Sequence, residues 1–239
     1  MAPREPEPLI GAGNVLLKMG KLDEATQAYR AALERDRGNR EAVLGLGKAA
    51  LARNEPRRAQ RLLAGLFIGD PDDTRLLLLL GVADDLEGRH RAAQDWYRRG
   101  LSLAPRNPAL TVDLALSLAL SQDYQAAITL LSPQAAAASA SAHDRQTLAL
   151  IYGLKGDRAA ATRLARIDLD RAAVAHNLAY YEQVRGLPPR SRARVLLAAL
   201  SRSAVGLSPV PNPDIVKAKG IARSTHRVAL HRRARPGNG

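Results

Sequence analysis

Along residues 6–131, apolar side chains return with a helical rhythm that breaks at regular places. Leu9, Ala12, Gly13 and Leu16 recur at i, i+3, i+4 and i+7, the spacing that gathers residues on one face of an α-helix. The polar string Met19-Gly20-Lys21 interrupts it, with Gly20 suited to the position just past a helix end. Leu22, Ala25, Ala28, Tyr29 and Ala32 then form the apolar face of a second helix. The pattern predicts a helical hairpin, and the hairpin repeats.

Gly13, Gly47 and Gly81 are spaced by 34 residues, and Ala115 continues the series. Ala25, Ala59, Ala93 and Ala127 keep the same period, as do Leu22, Pro56, His90 and Tyr124, and Tyr29, Leu63, Tyr97 and Leu131. A fixed period of this length marks stacked supersecondary units. Asn54 and Asn107 read as helix N-caps, with Pro56 and Pro108 just inside, where a missing N–H costs nothing.

The predicted units lie near 6–39, 40–73, 74–107, 108–141 and 142–170. After Leu131 the string SPQAAAASASAHD predicts that the fourth unit's second helix is cut short or followed by a loose loop. Leu148, Ala149, Tyr152, Gly156 and Ala161 restore the pattern in a fifth pair. A further helix over 171–185 is placed to cover the last apolar face, as terminal repeats must. A short amphipathic helix is expected over 186–200. From Ser201 to the end Pro209, Pro211 and Pro213 exclude helix, and 201–239 reads as a basic disordered tail.

The 34-residue period and its small residues resemble the tetratricopeptide repeat (TPR) family. Gly13, Gly47, Gly81 and Ala115 match that family's small residue in the first helix, and Ala25, Ala59, Ala93 and Ala127 match the one in the second. The family's early aromatic is replaced by Leu9, Val43, Leu77 and Thr111. The resemblance implies an all-α, right-handed TPR-like solenoid of helix–turn–helix hairpins, with C-terminal capping helices. It also implies a concave groove lined by first helices. Carried onto this chain, the lining includes Asn14, Leu17, Lys18, Leu44, Lys48, Leu51, Arg75, Leu78, Val82 and Leu116. An amphipathic helix or apolar peptide of a partner protein would suit such a floor, with Asn14, Lys18, Lys48 and Arg75 as polar anchors. Residues 148–186, whose last helix contains the string Asn177 to Tyr180, are similar to the C-terminal region of TadD-type proteins of tight-adherence (Flp) pilus assembly. That likeness implies a pilus or secretion assembly factor, a family that typically begins with a lipoprotein signal.

Composition sharpens this picture in three ways. Only one Trp and one Phe serve 239 residues and there is no cysteine, which favours helices over sheets and excludes disulfides and thiolate metal sites. No window is long and apolar enough to span a membrane. The N-terminus lacks the basic and apolar regions of a secretory leader, so the chain as written is expected in the cytoplasm, or in the periplasm or at the outer membrane if a leader has been removed. Third, the net charge of +13 is uneven. Residues 186–239 hold eleven Lys/Arg and a single acid, Asp214.

Candidate chemistry is sparse. Gly11-Ala12-Gly13 lacks the third glycine and the preceding strand of a dinucleotide loop, and a phosphate site has no reason to recur at Gly47 and Gly81. Asp84-Asp85 sits late in a first helix and His90 in a turn, His143-Asp144 lies two units on, and that last pair reads as a helix cap. No cofactor, metal site or enzymatic activity is expected. The competing functional class is a protein that contacts nucleic acid or an anionic surface through its tail. That tail has no aromatic to stack on bases, so a solvated tail is favoured.

Overall fold

The computed structural model describes residues 5–188 together with 191–192 and 195–196. The described residues all belong to the unit 1–209; residues 210–239, and the expected tail from Ser201, lie outside them. Eleven helices and no strand are found among the described residues. They pair as α1 (Glu7–Lys18) with α2 (Leu22–Arg35), α3 (Arg40–Ala52) with α4 (Pro56–Gly69), and α5 (Thr74–Leu86) with α6 (His90–Leu103). The series continues with α7 (Pro108–Leu120) and α8 (Tyr124–Ala136), then α9 (Ala142–Lys155) and α10 (Arg158–Asp168). Helix α11 (Arg171–Gly186) packs on α9 and α10. Each hairpin also touches the next, and the first helices α1, α3, α5, α7 and α9 contact one another in sequence, so the described residues form a solenoid with the first helices as one layer.

Two backbone devices keep the hairpins in phase. Within each turn one residue takes the left-handed conformation: Gly20 (φ 75°), Asn54 (60°), Gly88 (77°), Gln122 (67°) and Gly156 (96°), each 34 residues after the last. Asn54 is therefore a turn residue and not the helix cap its side chain suggested. Helices α3, α5, α7 and α9 each start from a side-chain cap, at Asn39, Asp73, Asn107 and Ser141, again one period apart. Each cap accepts a hydrogen bond from a first-turn N–H that has no partner within the helix.

Both series run unbroken through the Ala/Ser tract, which corrects the expectation of a degenerate fourth unit. Helix α8 continues through Pro133 to Ala136, close to where its counterparts end. The proline forfeits one backbone bond late in the helix, where little remains to be broken. The loop after α8 is tied down. Ser141 and Asp144 form a reciprocal capping box, and the Gln134 Nε2 donates to Asp144 Oδ1 at 2.7 Å and to the Pro108 carbonyl at 3.3 Å.

Close approach of the helices rests on the small residues. A Cβ added at Gly13 would lie 2.6 Å from Tyr29 Cε1, and one at Gly47 would lie 2.8 Å from Leu63 Cδ2. At Gly81 it would collide with the ring of Tyr97. Ala25, Ala59, Ala93, Ala115 and Ala127 are fully buried, their methyl groups filling the crossings where a larger side chain would hold the helices apart. At the far end Val174, Leu178, Tyr180, Tyr181 and Val184 of α11 are buried, and Tyr181 lies against Gly153 of α9. Of the expected 186–200 helix, Leu196 is buried, and Arg192 reaches back to donate to the Tyr124 hydroxyl at 3.0 Å.

Candidate functional site

The first-helix layer divides the expected groove residues into two sets. Leu17, Leu44, Leu51, Val82 and Leu116 are each at most 2% exposed, because neighbouring first helices pack directly on one another along this layer. These five side chains are core, and the apolar floor expected at their positions is closed. Asn14, Lys18 and Arg75 are exposed, while Lys48 and Leu78 are half-buried. The open part of the predicted lining is thus one leucine surrounded by polar groups.

Those polar groups differ in how firmly they are engaged. Asn14 Oδ1 accepts from the Tyr29 hydroxyl at 2.8 Å, and burial pushes that phenol up to about 12. Arg75 donates to Glu41 at 2.8 Å and also to Asp73. Lys18 and Lys48 make no salt bridge among the described residues. Burial holds the Lys48 ammonium below its ordinary pKa, the nearby Glu41 and Asp73 oppose this, and Arg75 and Lys18 add to it. The two acids near this half-buried lysine, Glu41 and Asp73, are both already bonded to Arg75.

The structure also brings together groups that looked scattered along the chain. Asp85 Oδ1 accepts from Ser117 Oγ at 2.8 Å and meets His90 Nδ1 at 2.7 Å, while the Tyr97 hydroxyl donates to Oδ2 at 3.1 Å. Asp84 accepts from Gln60 at 2.7 Å, from Trp96 Nε1 at 2.8 Å and from Arg89. Asp85 and Ser117 are almost inaccessible, so this knot of α5, α6 and α7 offers a substrate no entry. Desolvation raises the Asp85 pKa, and the His90, Ser117 and Tyr97 hydrogen bonds pull against it. The cluster fastens the third hairpin to the fourth. Among the described residues no group of three His, Cys, Asp or Glu could hold a metal ion.

One group that pattern reading passed over stands out. Asp113 of α7 is 7% exposed, and its carboxyl makes no hydrogen bond or salt bridge among the described residues. It borders a cleft of about 570 Å³ between α7 and the α8–α9 loop, shared with Arg106, Val112, Gln134, His143 and Asp144. A signal for it did exist. The same place in the other units holds Gly11, Gly45, Leu79 and Thr147, so a carboxyl breaks a column of small or uncharged residues.

Against this geometry, residues 16–82 match the family model described as tetratricopeptide repeat. An uncharacterized protein of Sinorhizobium fredii, y4yS, is 39% identical over 118 residues, covering 46% of this chain and 65% of its own length. The cellulose synthase 1 operon protein C of Komagataeibacter xylinus is 25% identical over 234 residues, 92% of this chain but 17% of that protein. The chain thus spans less than two thirds of either relative. The crystal structure of a thermophilic TPR protein of Thermus thermophilus superposes with a TM-score of 0.65 at 19% identity, covering 74% of this chain and 99% of the other. The family match is confined to residues 16–82, and the superposition shows that the array shares the fold of that repeat protein.

Proposed function

From a solenoid of tetratricopeptide hairpins as premise, we propose that the chain is a non-enzymatic scaffold that holds an acidic peptide or helix of a partner protein along its first-helix layer. A fold of this kind suits protein–protein interaction, and the polarity of the ligand follows from the exposed residues. The observation that carries it is Lys48, half-buried and without a salt bridge among the described residues, beside Lys18 and Arg75, with the nearby Glu41 and Asp73 both engaged by Arg75. A carboxylate delivered there recovers the desolvation already spent on the ammonium. Leu78, half-buried in the same layer, supplies an apolar contact beside it. The engaged residues Asn14 and Arg75 are already oriented by Tyr29 and Glu41, so little side-chain freedom is lost when a ligand arrives.

Selection of a phage-displayed peptide library on the intact chain tests this. Enrichment of Asp/Glu-containing apolar peptides is expected, together with its loss in the Lys18→Glu, Lys48→Glu double variant at unchanged helicity. Equal enrichment on the variant overturns the reading.

The finer assignment, to pilus or secretion assembly, rests on the likeness of residues 148–186 to TadD-type proteins. In the fold, Leu178, Tyr180 and Tyr181 of that stretch are buried in the terminal cap. The likeness therefore reports on how the array is closed, and the partner-facing evidence for a pilus role is co-purification of the chain with pilus-platform proteins from cells that assemble a tight-adherence pilus. Absence of those proteins from a cross-linked complex counts against it.

A further inference from the structure

The cleft at Asp113 has an incomplete polar lining, and each neighbour has its own engagement. Asp144 is committed to the capping box, accepting from the Ser141 N–H at 2.8 Å and from the Ser141 hydroxyl at 2.7 Å. Gln134 spends its amide N–H groups on Asp144 and the Pro108 carbonyl. Burial holds the His143 imidazole below its ordinary pKa, toward the neutral form, despite Asp144 beside it. Asp113 is left as a largely buried carboxyl that borders open volume and makes no hydrogen bond or salt bridge among the described residues. A buried acid in that condition is costly whichever form it takes, since both the neutral and the ionised group want hydrogen bonds.

The cleft belongs to the face already assigned to the partner. Ala109 and Val112, which line it, hold the places in the fourth unit that Arg75 and Leu78 hold in the third. Resting on the scaffold reading, we propose that this cleft is a socket for one basic side chain of the partner, a lysine ammonium or an arginine guanidinium, with Asp113 as its counter-ion. Charge complementarity selects a cation. The lining carries two carboxyls against the single permanent cation Arg106, and the volume is of the size that ligand clefts commonly have. Hairpins 1–3 present Lys18, Lys48 and Arg75 on the same layer, so the partner segment is acidic at one end and basic at the other. Its direction along the solenoid is thereby fixed.

Protonation gives the handle for a test. Burial pushes the Asp113 carboxyl up to about 8, and Asp85 of α5 adds to the rise. The other charged or titratable groups around it are Arg106 ahead of α7, Tyr97 of α6, and His143 and Asp144 of α9. A cation seated in the socket favours the ionised carboxyl and shifts its titration to lower pH, by about one unit or more for a pair in close contact.

Carbon-detected NMR titration of the full chain, alone and with excess Nα-acetyl-lysinamide, reads this directly. The expected result is a downward displacement of the Asp113 titration with the lysine probe and none with Nα-acetyl-norleucinamide, which has the same stem without the charge. In Asp113→Asn, which keeps shape and hydrogen-bonding capacity, the lysine-induced amide shifts around the cleft should vanish. Identical Asp113 curves with both probes overturn the socket, as do lysine-induced shifts that survive Asp113→Asn. The two readings fail separately. Identical curves alongside peptide enrichment that Lys18/Lys48 reversal abolishes remove the socket and leave the scaffold. A lysine effect with no peptide enriched keeps the socket and removes the scaffold.

Discussion

At the scale of a residue, Asp113 makes the stability of this protein depend on pH in the direction opposite to that of most acids. Its folded-state pKa of about 8 lies above the ordinary value of 3.8 that it regains on unfolding. The folded form therefore binds the proton more tightly, and the stability gained is complete below pH 4 and lost as pH rises toward 8. Within that window the loss approaches about 1.4 kcal/mol per pH unit for a single such group. Asp113→Asn carries no ionisable group there. The variant should gain on the parent steadily from pH 5 to pH 8 in urea denaturation, and parallel pH profiles would contradict the buried, unpartnered carboxyl. The sequence held a trace of this residue in the broken column of Gly11, Gly45 and Leu79. Its lack of a partner could not be read there, because the residues around the cleft come from two hairpins. The same holds for Ser117, which reaches the Asp85–His90 pair only once α5 and α7 lie side by side.

At the scale of an element, the turns and caps carry more of the regularity than residue identity shows. The left-handed column reads Gly, Asn, Gly, Gln, Gly, so an eye trained on glycine finds three of its five members. At Gln122 a β-carbon is held at a φ of 67°, which costs about 1 kcal/mol relative to glycine. Gln122→Gly removes that strain and adds backbone entropy to the unfolded chain. A net stabilisation below about 1 kcal/mol is expected, or a melting temperature about 2 °C higher. A clear loss on calorimetry would show the turn residue acting through its side chain. Ser141 works in the other direction. Ser141→Ala removes the hydroxyl half of the capping box, leaving the backbone N–H of residue 141 to donate to Asp144, and should cost about 1 kcal/mol. Hydrogen exchange would place that loss in the first turn of α9; unchanged exchange there would show the box to be dispensable. Helix existence and pairing were legible from the apolar period. The continuation of α8 through Pro133 was not, since local sequence gives proline and the Ala/Ser tract no sign of the Gln134 and Asp144 contacts that anchor the α8–α9 loop.

At the scale of the whole molecule, a solenoid stands on contacts between neighbours, with no single core shared by all units. Ion pairs such as Arg40–Asp73 (2.7 Å, part-buried) and Arg57–Glu87 (3.0 Å) bridge successive hairpins, though an exposed arginine such as Arg57 adds at most about 1 kcal/mol through its pair. The terminal cap matters more. Ending the chain after Asp170 would strip Tyr181 from Gly153 and open the apolar face of α9. The expected result is fast hydrogen exchange through α9 and α10, with α1 to α6 protected as in the parent. Uniform loss of protection over all hairpins would instead mean that the array unfolds as one body. The groove was the least legible feature at this scale. Position in the repeat marks a residue as facing the layer, but the closeness of neighbouring first helices decides whether it stays open, and it closed over Leu17, Leu44, Leu51, Val82 and Leu116.

The recurring left-handed turn has a consequence for how the gene can change length. A segment excised between two of these turns, such as residues 55–88, joins Asn54 to Arg89 at equivalent backbone angles. The surviving helices α3 and α6 would then meet as a new hairpin, with Gly47 facing Tyr97 in the manner of Gly13 and Tyr29. Recombination that slips by one period thus shortens or extends the array without frame or phase errors, and what it alters is the spacing between the cationic and acidic ends of the partner track.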